Sequence, residues 1–245
     1  MRSRLIVAFA AVSLGAAPLH AQLITPVDPN ADGLIPGGYL RLAGGMLSPI
    51  NPSGTLRDWK SGPIASLIWE NWEPSSHGVG RVGFGIGVSY TALPLNEPVF
   101  VSNFVPAPGT GTLTTATGKN TSLFQVETNI RVRIPSPFIM PSIALGFGFL
   151  SFHPGRITYE TTDGSTASAR AQTRSGAEFS VGAGLDKQIA GRAALFGEAI
   201  YEYGLTGLWQ GIAEPGGTCA SGECDMLKNM TLGIVRGGLR VRVGS

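Results

Sequence analysis

The sequence is poor in charge, in histidine and in cysteine. Charged residues make up 14% of the 245, against about a quarter in ordinary soluble domains. That scarcity excludes a coiled coil and a charged disordered tail. The formal net charge is only +2, with no clustered basic face of the kind nucleic acid requires. Three histidines and two cysteines form no group with metal-ligand spacing. Past the N-terminal segment no apolar run reaches the ~18 residues of a spanning helix, so a helical membrane protein is excluded. Glycine, by contrast, is abundant at 35 residues, roughly twice its usual share. A glycine-rich chain with few charges suits β-structure whose surface faces something other than water.

Residues 1–21 stand apart. Met1-Arg2-Ser3-Arg4 is basic, Leu5 to Ala17 is small or apolar, and Pro18-Leu19-His20-Ala21 closes the segment. This pattern predicts a secretory signal peptide cleaved after Ala21. Loss of Arg2 and Arg4 would leave basic and acidic residues equal in number. Residues 22–36 are expected to form an N-terminal periplasmic segment, and 37–245 a single barrel domain.

Beyond residue 36 the dominant period is two. Val82-Gly83-Phe84-Gly85-Ile86-Gly87-Val88-Ser89-Tyr90-Thr91 places Val, Phe, Ile, Val and Tyr on one face and Gly, Ser and Thr on the other. A helix would scatter these residues, and repeated glycine would weaken it. Phe124 to Ile134 alternates as cleanly, with Gln125, Glu127, Asn129, Arg131 and Arg133 on its polar face. The same template fits 38–48, 62–72, 138–152, 177–188, 193–205 and 230–243. Eight strands are therefore expected, with Gly237-Gly238 suggesting a bulge that changes face in the last.

The links between them alternate in length. Pro135-Ser136-Pro137 and Ile189-Ala190-Gly191-Arg192 are short, and 73–79 is intermediate. The stretches 49–61, 92–119, 153–174 and 206–228 are long and turn-rich, and are expected to be mobile. Tight periplasmic turns and long external loops produce this asymmetry in membrane barrels. The pattern, together with Ala194-Leu195-Phe196-Gly197-Glu198-Ala199-Ile200-Tyr201-Glu202-Tyr203-Gly204, resembles the small outer-membrane β-barrels of the OmpA/OmpX type. The resemblance implies an all-β, eight-stranded antiparallel up-and-down barrel in the bacterial outer membrane. It also implies outer-membrane lipids as surroundings and dependence on the export and barrel-assembly machinery. Such barrels usually finish on an aromatic residue, whereas this sequence reads Val243-Gly244-Ser245.

Alternation alone does not say which face points outward. A soluble lipocalin-like barrel would line a ligand cavity with its apolar face. The membrane orientation is favoured because the polar face is small and carries both charge signs, while Lys60, Lys119, Lys187 and Lys228 are confined to loops or strand ends. Trp69, Trp72, Tyr90, Phe138, Phe149, Tyr201 and Tyr203 fall near strand ends, where interfacial aromatic girdles form. Glu70, Glu127, Arg131, Arg133, Glu178, Asp186, Glu198, Glu202, Arg236, Arg240 and Arg242 are expected to form an ionic network inside the lumen, with Glu198 near Arg236. Buried charges must be paired to be tolerated.

Cys219 and Cys224 share one loop of an exported chain and are expected to form a disulfide. No cofactor site, metal site or nucleotide loop emerges; Gly83-x-Gly-x-Gly87 is strand alternation with no helix after it. The leading expectation is a non-enzymatic structural or surface-interaction protein with a lumen filled by side chains and no catalytic residues. What its external loops bind is not legible. Three alternatives remain: a lipid-active enzyme using His153 with Ser151 or Ser165 and Glu160, a narrow pore, and a soluble carrier. The histidine–serine order expected of a lipid deacylase is absent, and Phe152-His153-Pro154-Gly155 reads more simply as a strand end followed by a turn.

Overall fold

The computed structural model describes residues 37–50, 58–72, 80–103, 112–134, 136, 138–170, 173–190, 192–209 and 229–243. The expected signal peptide, the segment 22–36, His77 and the Cys219–Cys224 pair lie outside the described residues. In chain order the elements are β1 (Gly37–Pro49), β2 (Gly62–Trp72), β3 (Arg81–Leu93), α1 (Glu97–Asn103), β4 (Leu113–Gly118), β5 (Thr121–Arg133) and β6 (Met140–His153). They continue as β7 (Arg156–Thr161), β8 (Thr166–Arg170), β9 (Arg174–Ala190), β10 (Ala193–Trp209) and β11 (Asn229–Val243).

Eight of the strands close into an antiparallel barrel in the order β1-β11-β10-β9-β6-β5-β3-β2. These are the eight strands read from the alternation; most reach further at one or both ends, while β2 keeps 62–72, β5 stops at Arg133 and β6 starts at Met140 and not at 138. Closure leaves the wall no free edge, which a β-structure needs in order to span lipid. Register follows the period-two pattern, because a slip of one residue would turn every apolar side chain into the lumen. Val82, Phe84, Ile86 and Val88 of β3 are exposed on the outer wall, as are Ile143, Leu145 and Phe147 of β6 and Val235 of β11; Leu145 and Val235 are 63% and 66% exposed. The inward faces carry Arg41, Ser66, Glu70, Gln125, Asn129, Arg131, Arg133, Glu178, Asp186, Glu198, Glu202, Arg236 and Arg240, all buried. This is the reverse of a lipocalin-like carrier, whose apolar face would line the cavity.

Glycines on inward faces make room for these side chains. A Cβ at Gly83 would collide with the Trp72 ring, and one at Gly85 with the Asn129 amide. The bulge expected at Gly237-Gly238 does not occur. β11 pairs with β1 and β10 residue for residue through this point, and Arg236, Gly238 and Arg240 stay on one face. Paired glycines here reflect close strand approach instead.

The long links also differ from expectation. The stretches 92–119 and 153–174 carry α1 and a three-stranded sheet in the order β4-β7-β8. β4 comes from one link and β7 and β8 from the other, so their pairing ties two external connections together. Short threonine-rich strands such as Leu113–Gly118 were concealed by the surrounding turn residues.

The β7–β8 turn has a polar lock. Asp163 Oδ1 accepts from the Thr161 hydroxyl at 2.5 Å, the Ser165 amide at 3.0 Å and the Ser165 hydroxyl at 2.8 Å, while Gly164 takes φ +79°. The Thr161 hydroxyl first, and then Ser165, hold this carboxyl down at about 2. Because the folded value lies below the unfolded value, the stabilisation is complete above about pH 4. It should fade as pH falls through about 2. Amide exchange at Ser165 should accelerate over that window, and Asp163→Asn should show the faster exchange already at neutral pH.

Candidate functional site

The lumen is built in three layers, set by which inward positions each strand supplies. Periplasmic turns join β5 to β6 and β9 to β10, so the end of β5 and the start of β10 lie low in the wall. The lowest layer is ionic. Arg41 of β1 donates to Glu70 at 2.8 Å and to Glu198 at 3.2 Å. Glu198 also receives Arg131 at 2.7 Å and Arg236 at 2.6 Å, so three guanidiniums converge on it. Glu70 takes Arg131 and Arg133, each at 3.4 Å, and Asp186 takes Arg133 at 2.9 Å and Arg240 at 3.8 Å. The Arg133 Nε–Asp186 approach is a close ion pair without hydrogen-bond alignment.

Aromatic rings complete this layer. Arg41 lies 3.7 Å over the Phe196 ring, Arg133 3.9 Å over Trp72, and Arg240 4.9 Å from the Tyr39 ring. Each is within cation–π range, which is strongest when the pair is desolvated. Trp72 therefore does not belong to the lipid interface where its position near a strand end had placed it. Its side chain is 2% exposed, faces the lumen, and donates from Nε1 to Glu70 at 3.2 Å. The inward parity of β2, shared with Glu70, decides its direction.

The middle layer is carboxylate and amide. Gln125 Nε2 donates to Glu202 at 2.6 and 2.7 Å and to Glu178 at 3.2 Å. The Ser180 hydroxyl donates to Glu127. Among the described residues the ion pairs involve Glu70, Asp186 and Glu198 and do not extend to Glu127, Glu178 or Glu202. The charges read as one set thus occupy two separate levels. Arg242 is half-buried at the periplasmic end and bonds through its backbone to Arg192.

The uppermost layer is apolar. Leu47, Leu93, Leu123, Leu150, Phe152, Met230 and Leu232 fill the mouth of the barrel and are buried. Trp59, Leu95, Ala116 and Ile157 join the same cluster from outside the barrel, with Phe100 and Tyr159 packed against it. The external sheet is thereby fastened onto the mouth it closes.

Arg41 and the apolar mouth were not singled out from the sequence, and Gln125 was placed on the polar face of its strand without its carboxylate partners. Arg41 shares the inward parity of Tyr39, a signal that was available. The mouth residues were hidden because Leu150 and Phe152 are apolar where the strand's inward face should be polar. On the outer wall, Trp69, Tyr90 and Tyr201 are exposed, Phe149 is 37% exposed and Tyr203 is half-buried. Phe138 precedes β6 and is 82% exposed. Of the residues considered for lipid chemistry, His153 meets Ser151, with Nε2 and the hydroxyl 2.9 Å apart. Ser165 is instead held by Asp163 and Thr161.

A closed antiparallel wall with a continuous apolar exterior and charges held inside has one solvent that suits it. The chain is a closed eight-stranded β-barrel of the kind that spans a membrane. No family model and no curated protein matches the sequence. Among solved structures it is similar to Neisserial surface protein A, at 14% identity and a TM-score of 0.45, over 84% of this chain and 97% of that one. It is also similar to Ail, the attachment invasion locus protein of Yersinia pestis, at 13% and 0.40, over 83% and 99%. A third is the outer membrane enzyme PagL, at 12% and 0.38, over 84% and 100%. At these identities the likeness concerns fold alone, and the assignment above rests on the barrel's own closure and exterior.

Proposed function

We propose that the chain is a sealed barrel that serves the envelope as a structural and surface-interaction protein. Its lumen charges are a structural plug, and the roles of lumen and external sheet are non-enzymatic. The observation that supports this most directly is the filling of the lumen at every level, by ion pairs, then amide-linked carboxylates, then an apolar cap shared with the external sheet. An eight-stranded barrel has an interior just wide enough for side chains, which disfavours a pore. The sheet fixed over the mouth gives the external connections a defined surface, which suits recognition better than a loose loop would. Outer-membrane lipids are the partner of the outer wall, and export and barrel-assembly machinery deliver the chain there.

Two measurements on the full chain test this reading. Planar-bilayer recording should show no discrete conductance. Cells displaying the chain should adhere or cluster differently from cells displaying a variant in which 95–118 and 154–170 are replaced by short turns. Stepwise conductance would reject the sealed lumen, and identical behaviour of the two cell lines would reject the surface-interaction role.

A further inference from the structure

The outer wall changes character at one height on three adjacent strands. Along the outward face of β6 the sequence runs Ile143, Leu145, Phe147, Phe149, then Ser151 and His153. On β5 the outward face passes from Phe124 to Ser122, and on β9 from Phe179 and Ala177 to Ser175. Apolar residues give way to hydroxyls and an imidazole together, above the exposed ring of Phe149. Such a boundary marks the edge of the hydrocarbon band. The ester carbonyls of membrane lipids lie at the same depth, between the hydrocarbon core and the headgroups.

The groups at this edge form a chain of contacts. Ser151 Oγ lies 2.9 Å from His153 Nε2 and 2.8 Å from Ser175 Oγ. Thr173 Oγ1 lies 3.4 Å from His153 Nδ1. With the proton on Nδ1, His153 donates to Thr173 and accepts from Ser151, the tautomer a general base requires. Ser151 is 8% exposed, and His153 is exposed beside it. A hydroxyl and an imidazole within hydrogen-bond reach, with the second ring nitrogen oriented by a third group, is the arrangement of an activated nucleophile.

We propose that Ser151 and His153 hydrolyse long-chain acyl esters presented at the outer-leaflet boundary, an activity that goes beyond the sealed-barrel reading and does not depend on it. Ser151 Oγ attacks the ester carbonyl carbon while His153 Nε2 takes its proton, and the carbonyl electron pair moves onto oxygen. The Ser175 hydroxyl is placed to donate to that oxyanion. Collapse expels the alcohol oxygen, which takes the proton back from His153 and leaves an acyl group on Ser151. Water then attacks the acyl carbon, giving its proton to His153. The carboxylic acid departs, and the proton returns to Ser151. The net change is ester plus water to acid plus alcohol, with no cofactor. Thr173 is a positioning residue that acts through His153.

The test uses the full chain folded in micelles, with folding verified by an altered electrophoretic mobility before boiling. A long-chain nitrophenyl ester in mixed micelles should be hydrolysed, and a fluorophosphonate should label Ser151. Ser151→Ala and His153→Ala should each lower the rate by about 10²–10⁴-fold, and Ser151→Ala should abolish the label. Ser175→Ala should lower kcat more than it raises KM. Thr173→Val should lower kcat and alter its dependence on pH, which a purely structural threonine would not do. Vesicles of phosphatidylethanolamine and vesicles of lipopolysaccharide then separate the two lipid sources. Cleavage in either supports the proposal and names its substrate. A correctly folded chain that cleaves neither vesicle lipid would falsify it, as would rates or labelling unchanged in the Ser151 and His153 variants. The conductance and adhesion results would stand whichever way this falls.

Discussion

Glu198→Ala should destabilise the barrel by about 3–5 kcal/mol, the range for removing one partner of a buried ion pair. Glu198 is the point where Arg41, Arg131 and Arg236 meet, at 3.2, 2.7 and 2.6 Å. All four side chains are essentially closed to solvent. Truncation leaves three guanidiniums in a narrow space with a single carboxylate lost to all of them. Arg41 and Arg131 keep Glu70, whereas Arg236 keeps, among the described residues, the hydroxyls of Ser66 and Ser89. Arg236→Ala alone should therefore cost less, because Glu198 retains two arginines. The double variant should be less damaged than the two losses added together, since removing both partners leaves fewer charges stranded. Denaturant midpoints of the folded band in lipid vesicles give all three values. Additive losses would mean that the 2.6 Å pair contributes nothing of its own. Glu97→Ala, on the external helix, should stay within about 0.5 kcal/mol as an ordinary surface change.

The vertical separation of charge follows from the same positions. The ionic layer gathers Arg41, Arg131, Arg133, Arg236 and Arg240 around Glu70, Asp186 and Glu198, so it is richer in cations. The middle layer holds Glu127, Glu178 and Glu202, linked through Gln125 and Ser180. Gly146 and Gly148 of β6 face the middle layer, where a Cβ at either would overlap Glu127 or Glu178. The glycines that lighten the inward face are thus what lets long acidic side chains lie across the lumen.

Strand positions were legible because a wall with lipid on one side and packed polar groups on the other enforces a period of two. β3 shows it best, with only Gly, Ser and Thr inward from Gly83 to Thr91. The direction of Glu70, Arg131, Arg133, Asp186, Glu198 and Arg236 followed from the same parity. Legibility failed where parity conflicts with another cue. Trp72 was assigned by its place near a strand end and by residue type, whereas its parity turns it onto Arg133. The external sheet was missed because the pairing of β4 with β7 joins two different links, a long-range choice that no local window contains. The Ser151–His153 contact was considered, but its partners Thr173 and Ser175 become neighbours only through the β6–β9 pairing.

Gly238→Ala should prevent a large fraction of the chain from closing its barrel. Gly238 pairs with Ala43 at the β1–β11 seam, which joins the first and last strands. A Cβ there would overlap the Leu42 carbonyl oxygen and stand 2.8 Å from the Leu42 carbonyl carbon and 2.9 Å from Ala43 Cα. All three are backbone atoms, so no rotamer change relieves the overlap and the strands must separate. Overpacking of a core costs about 1–3 kcal/mol when side chains can adjust, and here they cannot, so the loss should reach or exceed the top of that range. The seam is a sensitive place for it, because its pairing spans nearly the whole barrel sequence and closes the longest loop. Gly197→Ala supplies the comparison, since nothing lies within 4 Å of a Cβ at that position. It should fold as well as the parent. The two variants differ by the same single methyl group on adjacent strands, so unequal folded fractions isolate the close approach at the seam from the general cost of losing a glycine. Equal fractions would mean that β1 and β11 can part by the needed distance without opening the wall.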